Sequence, residues 1–148
     1  MFTLKENYPK LLVFAQFTLW GLIMLFSKGF FSSFLSMTVF TVGAGLGIWA
    51  LLHNRLGNFN IQPKMKEGAE LVTTGIYAFI RHPMYLSVIL MNFSFVLSSL
   101  TLLQMTLFLM LTFVLFLKAK REESLWMKES LEYEVYKENT KLFLPFLL

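Results

Sequence analysis

Apolar runs broken by short polar joints dominate the chain, and one long polar stretch divides it. After a polar lead from Met1 to Lys10, an almost unbroken apolar run covers Leu11 to Phe26. With flanks from Pro9 to Lys28 it is long enough for a spanning helix of about 20 residues. Gly29 to Ser33 reads as a tight turn, and a second apolar run follows from about Phe34 to Leu52, closing at His53-Asn54-Arg55. Residues 54–82 are polar, punctuated by Gly57, Pro63 and Gly68 and carrying Arg55, Lys64, Lys66, Glu67, Glu70 and Arg81. Two further apolar segments, about Pro83–Leu97 and Leu100–Leu117, are joined at Ser98-Ser99 without a charge. The first of these is short for a full span, roughly 22 Å at 1.5 Å per residue. From Lys118 the chain is polar again, with Leu125, Tyr133 and Tyr136 on one rough helical face. It ends on the apolar Leu142–Leu148, too short to span and expected at the interface or packed back on the bundle.

These elements predict an all-α integral membrane helical bundle in a single domain over 1–148. About four transmembrane helices (9–27, 34–53, 83–98 and 100–117) are followed by a cytoplasmic C-terminal helix in the tail 118–148. Basic residues concentrate in the 54–82 loop and the tail, while the 98–99 joint has none. The positive-inside rule then places both termini and the long loop in the cytoplasm. No small-residue cleavage pattern follows the first run, so it does not read as a removed signal peptide.

Composition sharpens this picture. Of 148 residues, 56% are hydrophobic and only 15% charged, with 17 Phe; soluble domains carry more charge. The net charge of +4 is too spread out for a nucleic-acid footprint. Every acidic residue is Glu, there is no Cys, and there are two His. A disulfide framework, a thiolate nucleophile, a metal site and a Ser-His-Asp triad are therefore not expected.

The glycines of Gly43-Ala-Gly-Leu-Gly47 lie inside an apolar helix rather than between a strand and a helix. They read as close helix–helix approach through small residues rather than as a nucleotide loop, although a cofactor could also lie against such a patch.

The chemistry concentrates in Thr73–Ser87, which holds an Arg, a His, two Tyr and a Pro within nine residues. Pro83 suits the first turn of a helix, and His82 before it is pushed out of helical geometry. Arg81, His82 and Tyr85 then gather at a helix N-terminus, which favours an anion. Arg and Tyr are also common membrane-interface anchors, and that reading stands beside the first. The helical hairpin brings this cluster to face Lys120, Arg121, Glu122 and Glu123 at the far end of the fourth helix. Adjacent residues point about 100° apart, so one of the two glutamates is expected to face the site.

Gly75-Ile-Tyr77-x-x-x-Arg81-His82-Pro-Met-Tyr85, a helical hairpin, Glu122-Glu123, then Tyr133-x-x-Tyr136-Lys and a late Pro145 together resemble the isoprenylcysteine carboxyl methyltransferase and phospholipid methyltransferase families. The resemblance covers roughly residues 43–148 and is strongest at 73–87 and 118–145. The chain departs from it at Glu129-Ser130, where an aromatic-Gly pair is common, and at Lys141-Leu-Phe-Leu-Pro145, where a basic residue often precedes the Pro.

The resemblance implies a membrane enzyme that uses S-adenosylmethionine. It implies Gly75, Tyr77, Arg81, His82, Tyr85, Glu122, Glu123, Tyr133 and Tyr136 at the cofactor, with Arg81, His82 and Glu122 in the reaction. The acceptor would be a lipid-like or small hydrophobic molecule (carboxylate, amine or thiol) at the cytoplasmic face, with membrane lipids as surroundings. The chemistry agrees: a carboxylate suits Arg81, His82 and a helix N-terminus, and an ammonium or ribose suits Glu122 or Glu123. Methyl transfer needs positioning rather than a metal. An amine acceptor would also need a base, which His82 or a Glu could supply. A sterol-reductase-type NADPH enzyme, which shares Arg-His-Pro-x-Tyr, and a non-catalytic membrane scaffold are the alternatives.

Overall fold

The structure, a computed structural model, describes residues 2–54, 58, 61–63, 68 and 70–143. The polar-loop residues Arg55, Gly57, Lys64, Lys66 and Glu67 and the late Pro145 lie outside them. Among the described residues five α-helices follow in order: α1 (Phe2–Phe26), α2 (Phe34–His53), α3 (Pro83–Ser98), α4 (Leu102–Glu129) and α5 (Leu131–Asn139). Among the described residues no strand forms, and an isolated parallel bridge joins Ile80 to Lys141. The expected all-helical bundle is therefore what the chain builds.

Helix boundaries follow local chemistry. Gly29 adopts φ 72°, which costs a glycine nothing, and turns α1 into the short 3₁₀ turn Phe30–Ser32. Ser33 caps α2 by accepting from Ser36 N, and Thr101 caps α4 by accepting from Gln104 N. His82 (φ −124°, ψ 59°) precedes α3, whose first residue is Pro83; it is kept out of helical geometry as the pre-proline restriction requires, although its ψ falls short of the fully extended range.

Three boundaries differ from the sequence expectation. The lead before Lys10 is already helical, because α1 starts at Phe2 and runs through Pro9. α4 does not stop near Leu117 but continues to Glu129, since the residues after Leu117 lack Gly and Pro and are mostly good helix formers. The break comes at Ser130, in extended geometry (φ −144°, ψ 123°), so Leu125 sits on α4 while Tyr133 and Tyr136 sit on α5.

α1, α2 and α4 are each long and apolar enough to cross a membrane; α3, with 16 residues, is a shorter apolar helix. α1 runs antiparallel to α4, as Ile23 meets Gln104 near one end and Tyr8 meets Arg121 near the other. α2 packs along α3. An ideal Cβ on Gly43 would lie 2.9 Å from Leu90 Cβ, one on Gly47 would collide with Ser87 Oγ, and Ser87 Oγ donates to Gly43 O at 2.8 Å. These two glycines allow backbone approach, as expected, whereas Gly45 meets nothing within 4 Å. The main apolar core joins Leu19 and Ile23 of α1, Tyr85, Phe95 and Val96 of α3, and Leu107, Leu111 and Leu115 of α4. Leu142 and Phe143 of the tail are buried in it, so this part of the apolar end packs back on the bundle. The outward faces stay apolar, with Phe14, Leu25, Leu52 and Leu109 exposed. A bundle immersed in lipid carries such a surface; one in water does not.

Candidate functional site

The polar end of the bundle collects the start of α3, the second half of α4 and the tail. The 3₁₀ turn Gly75–Ala78 leads into it. Gly75 has φ 61°, and an ideal Cβ there would lie 2.6 Å from His53 Cε1. The glycine thus lets the turn lie flat on the imidazole at the end of α2, and His53 Nε2 pairs with Thr74 Oγ1 at 2.9 Å. Gly75 has a packing reason and stands behind the site.

Arg81, His82 and Tyr85 do face the carboxylates of α4. Arg81 Nε donates to Glu123 Oε1 at 2.6 Å, and Tyr85 OH donates to Glu122 Oε1 at 2.5 Å. The imidazole of His82 lies between them, Nδ1 3.5 Å from Glu122 Oε2 and Nε2 3.9 Å from Glu123 Oε1. It stacks on the Tyr85 ring at 5.4 Å and 9°. Both glutamates therefore reach the cluster, where one had been expected. Their ~100° divergence on the helix is taken up because Tyr85 and Arg81 approach from different directions. Glu123 is the more buried, and Lys120 Nζ adds a second cation at 3.3 Å from its Oε2. Arg121 turns elsewhere, with Nε on Pro63 O at 3.2 Å and its guanidinium 5.5 Å over the Tyr8 ring.

Arg81 also donates through Nη1 to Lys137 O at 3.1 Å and to Thr140 O. Tyr136 OH donates to Tyr77 O at 2.7 Å. Tyr133 is sandwiched, stacked on Trp126 at 5.9 Å and edge-on to Tyr136 at 5.7 Å. Burial, then the Glu122 charge, pushes the Tyr77 phenol up to about 12. Burial likewise raises Tyr133 and Tyr136. All three therefore stay neutral donors around a charged centre. Leu71, Thr73, Ala78, Glu132, Tyr136 and Thr140 border an open groove of about 410 Å³ beside the tail.

One pair escaped sequence reading. Lys118 is only 1% exposed, its Nζ donates to Gln16 Oε1 at 2.6 Å, and it lies 5.1 Å from the centre of the Tyr85 ring. A lone amide in the first apolar run and the first charge after the fourth were visible, but their pairing depends on how α1 packs on α4.

The polar residues suit a zwitterionic cofactor such as S-adenosylmethionine. Carboxylates for a cation, an imidazole at a helix N-terminus for an anion, and tyrosines around both are present. His82 Nε2 is buried with no hydrogen-bond partner, a group left for something else to satisfy.

A hydrophobic helical bundle with a charged, walled-in cluster at one end of a hairpin defines an integral membrane protein carrying a polar site. The model of the isoprenylcysteine carboxyl methyltransferase (ICMT) family matches residues 34–128, and the chain belongs to that family. Membership implies a membrane methyltransferase, and methyltransferases of this family generally use S-adenosylmethionine. No curated protein and no solved structure gave a match.

Proposed function

We propose that the chain transfers a methyl group from S-adenosylmethionine to a lipophilic or membrane-associated acceptor at the cytoplasmic face. The observation that carries this reading is His82. Its buried Nε2 lacks a hydrogen-bond partner, and its ring lies between two carboxylates at the N-terminus of α3. When bound, the cofactor supplies an electrophilic methyl group on a sulfonium. His82, at the positive end of α3, holds its carboxylate through the ring Nε2, with Arg81 beside it. Glu122 and Glu123 meet its ammonium or ribose, with Tyr85 setting the direction of Glu122. Tyr136, which donates to the backbone of Tyr77, is the one of these residues that borders the groove beside the tail and connects it to the cluster, and Tyr133 stands edge-on behind it.

Methyl transfer is an in-line displacement, so the work of these residues is orientation and exclusion of water. Positioning supplies about 7–11 kcal/mol in favourable cases. A carboxylate or thiolate acceptor arrives ionised; for an amine, His82 or Glu122 takes the proton. The apolar flanks of α3 and α4 suit an acceptor that enters from the bilayer. The proposed topology has four spans, with both termini and the 54–82 loop in the cytoplasm, motivated by the basic residues of loop and tail. Cysteines placed at Thr3 and Ser99 and probed with an impermeant label in intact cells test it; labelling at 3 and none at 99 would reverse it.

Calorimetric titration of the purified chain with S-adenosylmethionine, S-adenosylhomocysteine and NADPH tests the cofactor. Binding of the two sulfur compounds is expected. Binding of NADPH with none of S-adenosylhomocysteine would move the chain to reductase chemistry.

A further inference from the structure

Resting on that cofactor reading, we propose that Arg81 is a positioning residue. It clamps the tail segment 137–143 onto the site and acts on the cofactor through that tail. Its donors are already committed. Nε goes to Glu123 Oε1 at 2.6 Å, while Nη1 serves Lys137 O at 3.1 Å and Thr140 O. The two carbonyls belong to the C-terminal end of α5, where the last turn leaves acceptors without helical partners and the helix dipole is negative. Arg81 therefore closes the end of α5 with one branch of its fork and ties it to α4 with another. A ligand carboxylate contacting Arg81 directly would have to compete with Glu123, whose side chain is only 3% exposed.

The backbone repeats the stitch. Arg81 N donates to Lys141 O at 2.8 Å, His82 N to Leu142 O at 3.1 Å, and Lys141 N to Phe79 O at 3.1 Å. The segment so held delivers Phe143, whose ring stands edge-on to His82 at 6.2 Å and 67°. Phe143 thus forms a wall beside the imidazole whose Nε2 has no partner. The family match ends at residue 128, so it says nothing about this segment. A lysine at position 81 would keep the charge but lose the planar fork needed to reach a carboxylate and two carbonyls at once.

The test uses the full chain in detergent and two readouts. Hydrogen exchange without ligand is measured first. Arg81→Lys is expected to speed exchange in 137–143 about tenfold or more, with the 102–117 segment unchanged. S-adenosylhomocysteine titration is the second readout. Arg81→Lys and Phe143→Ala are each expected to weaken binding, and the double variant should be no weaker than the poorer single one, because both act through the same tail. Unchanged exchange in Arg81→Lys overturns the clamp, and so do losses that add, which would put Arg81 in contact with the ligand. If Arg81→Lys does not fold, Lys141→Pro, which deletes the N–H to Phe79 O, must loosen the same segment and weaken binding; otherwise the clamp is wrong. A parent chain that ignores S-adenosylhomocysteine overturns the cofactor reading, and the exchange result alone then decides the clamp.

Discussion

At the joint end of the α3–α4 hairpin, Ser27 Oγ meets Ser98 Oγ at 2.8 Å and Gln104 Nε2 donates to Ile23 O at 2.9 Å. At the other end, Arg81, His82, Lys118 and Lys120 surround Glu122 and Glu123. Both ends hold the same helices together, yet one uses hydroxyls and an amide and the other uses ions. Neutral groups are the economical choice for joining helices in an apolar medium, since an uncharged hydroxyl or amide costs far less to bury than an ion, even where, as at Gln104 Oε1, one atom is left without a partner. Buried ions carry a desolvation penalty that helix association alone does not require. The charged end is therefore where binding and chemistry are to be sought, and the neutral end is where stability alone is at stake.

The sharpest way to break this contrast is to remove one member of the buried pair. Arg81→Ala or Glu123→Ala leaves a buried charge without its partner and is expected to cost about 3–5 kcal/mol, read as a large loss of unfolding temperature in detergent. A loss below about 1 kcal/mol would make the pair a solvated one. Glu122 is more exposed, so Glu122→Ala is expected to spare the fold. It should weaken S-adenosylhomocysteine binding roughly 10- to 150-fold, the worth of one hydrogen bond to a charged group; parent-like titration curves would remove Glu122 from the site. At the joint end, Ser27→Ala is expected to cost about 0.5–1.5 kcal/mol and to leave binding unchanged. Gln104→Leu loses one hydrogen bond but also deletes an Oε1 that has no partner, so the net change should stay within about 1 kcal/mol. If either of these variants abolished ligand binding, the division between the two ends would fail.

The smallest effect at neutral pH comes from the tyrosines. Tyr77 titrates near 10 when unfolded and is pushed up to about 12 in the fold. The folded state thus holds its proton longer. The associated stability is complete below pH 10 and is lost as pH rises from there through about 12. Tyr133 and Tyr136 shift the same way. Tyr77→Phe should flatten part of that alkaline loss when unfolding is followed against pH, and an identical profile would show that Tyr77 does not report the fold.

Local rules carried much of this architecture. Apolar runs located the helices, Pro83 fixed the start of α3, and the uncharged Ser98-Ser99 joint marked the hairpin. The hairpin in turn brought Arg81, His82 and Tyr85 to Glu122 and Glu123, a contact that follows from two helix ends meeting. Other features depended on distances along the chain that no period encodes. Lys118 finds Gln16 only once α1 lies against α4, and Arg81 finds the carbonyls of Lys137 and Thr140 only after Ser130 has turned the chain. The continuation of α4 from Glu123 to Glu129 has a different reason: the apolar span ends at Leu117 and the charged residues 118–123 look like its end, whereas helix propensity carries on for six more residues.

That continuity has a mechanical consequence. The 28 residues of α4 make one rod about 42 Å long, against a hydrocarbon layer of about 30 Å. Its apolar part and the carboxylates of Glu122 and Glu123 share a single axis with no hinge between them. A rod of this kind answers a thinner bilayer by tilting, and the tilt displaces its charged tip. With α4 across a bilayer, the height of the carboxylates follows the tilt of the rod, so lipid chain length is expected to act on the site as a mechanical input.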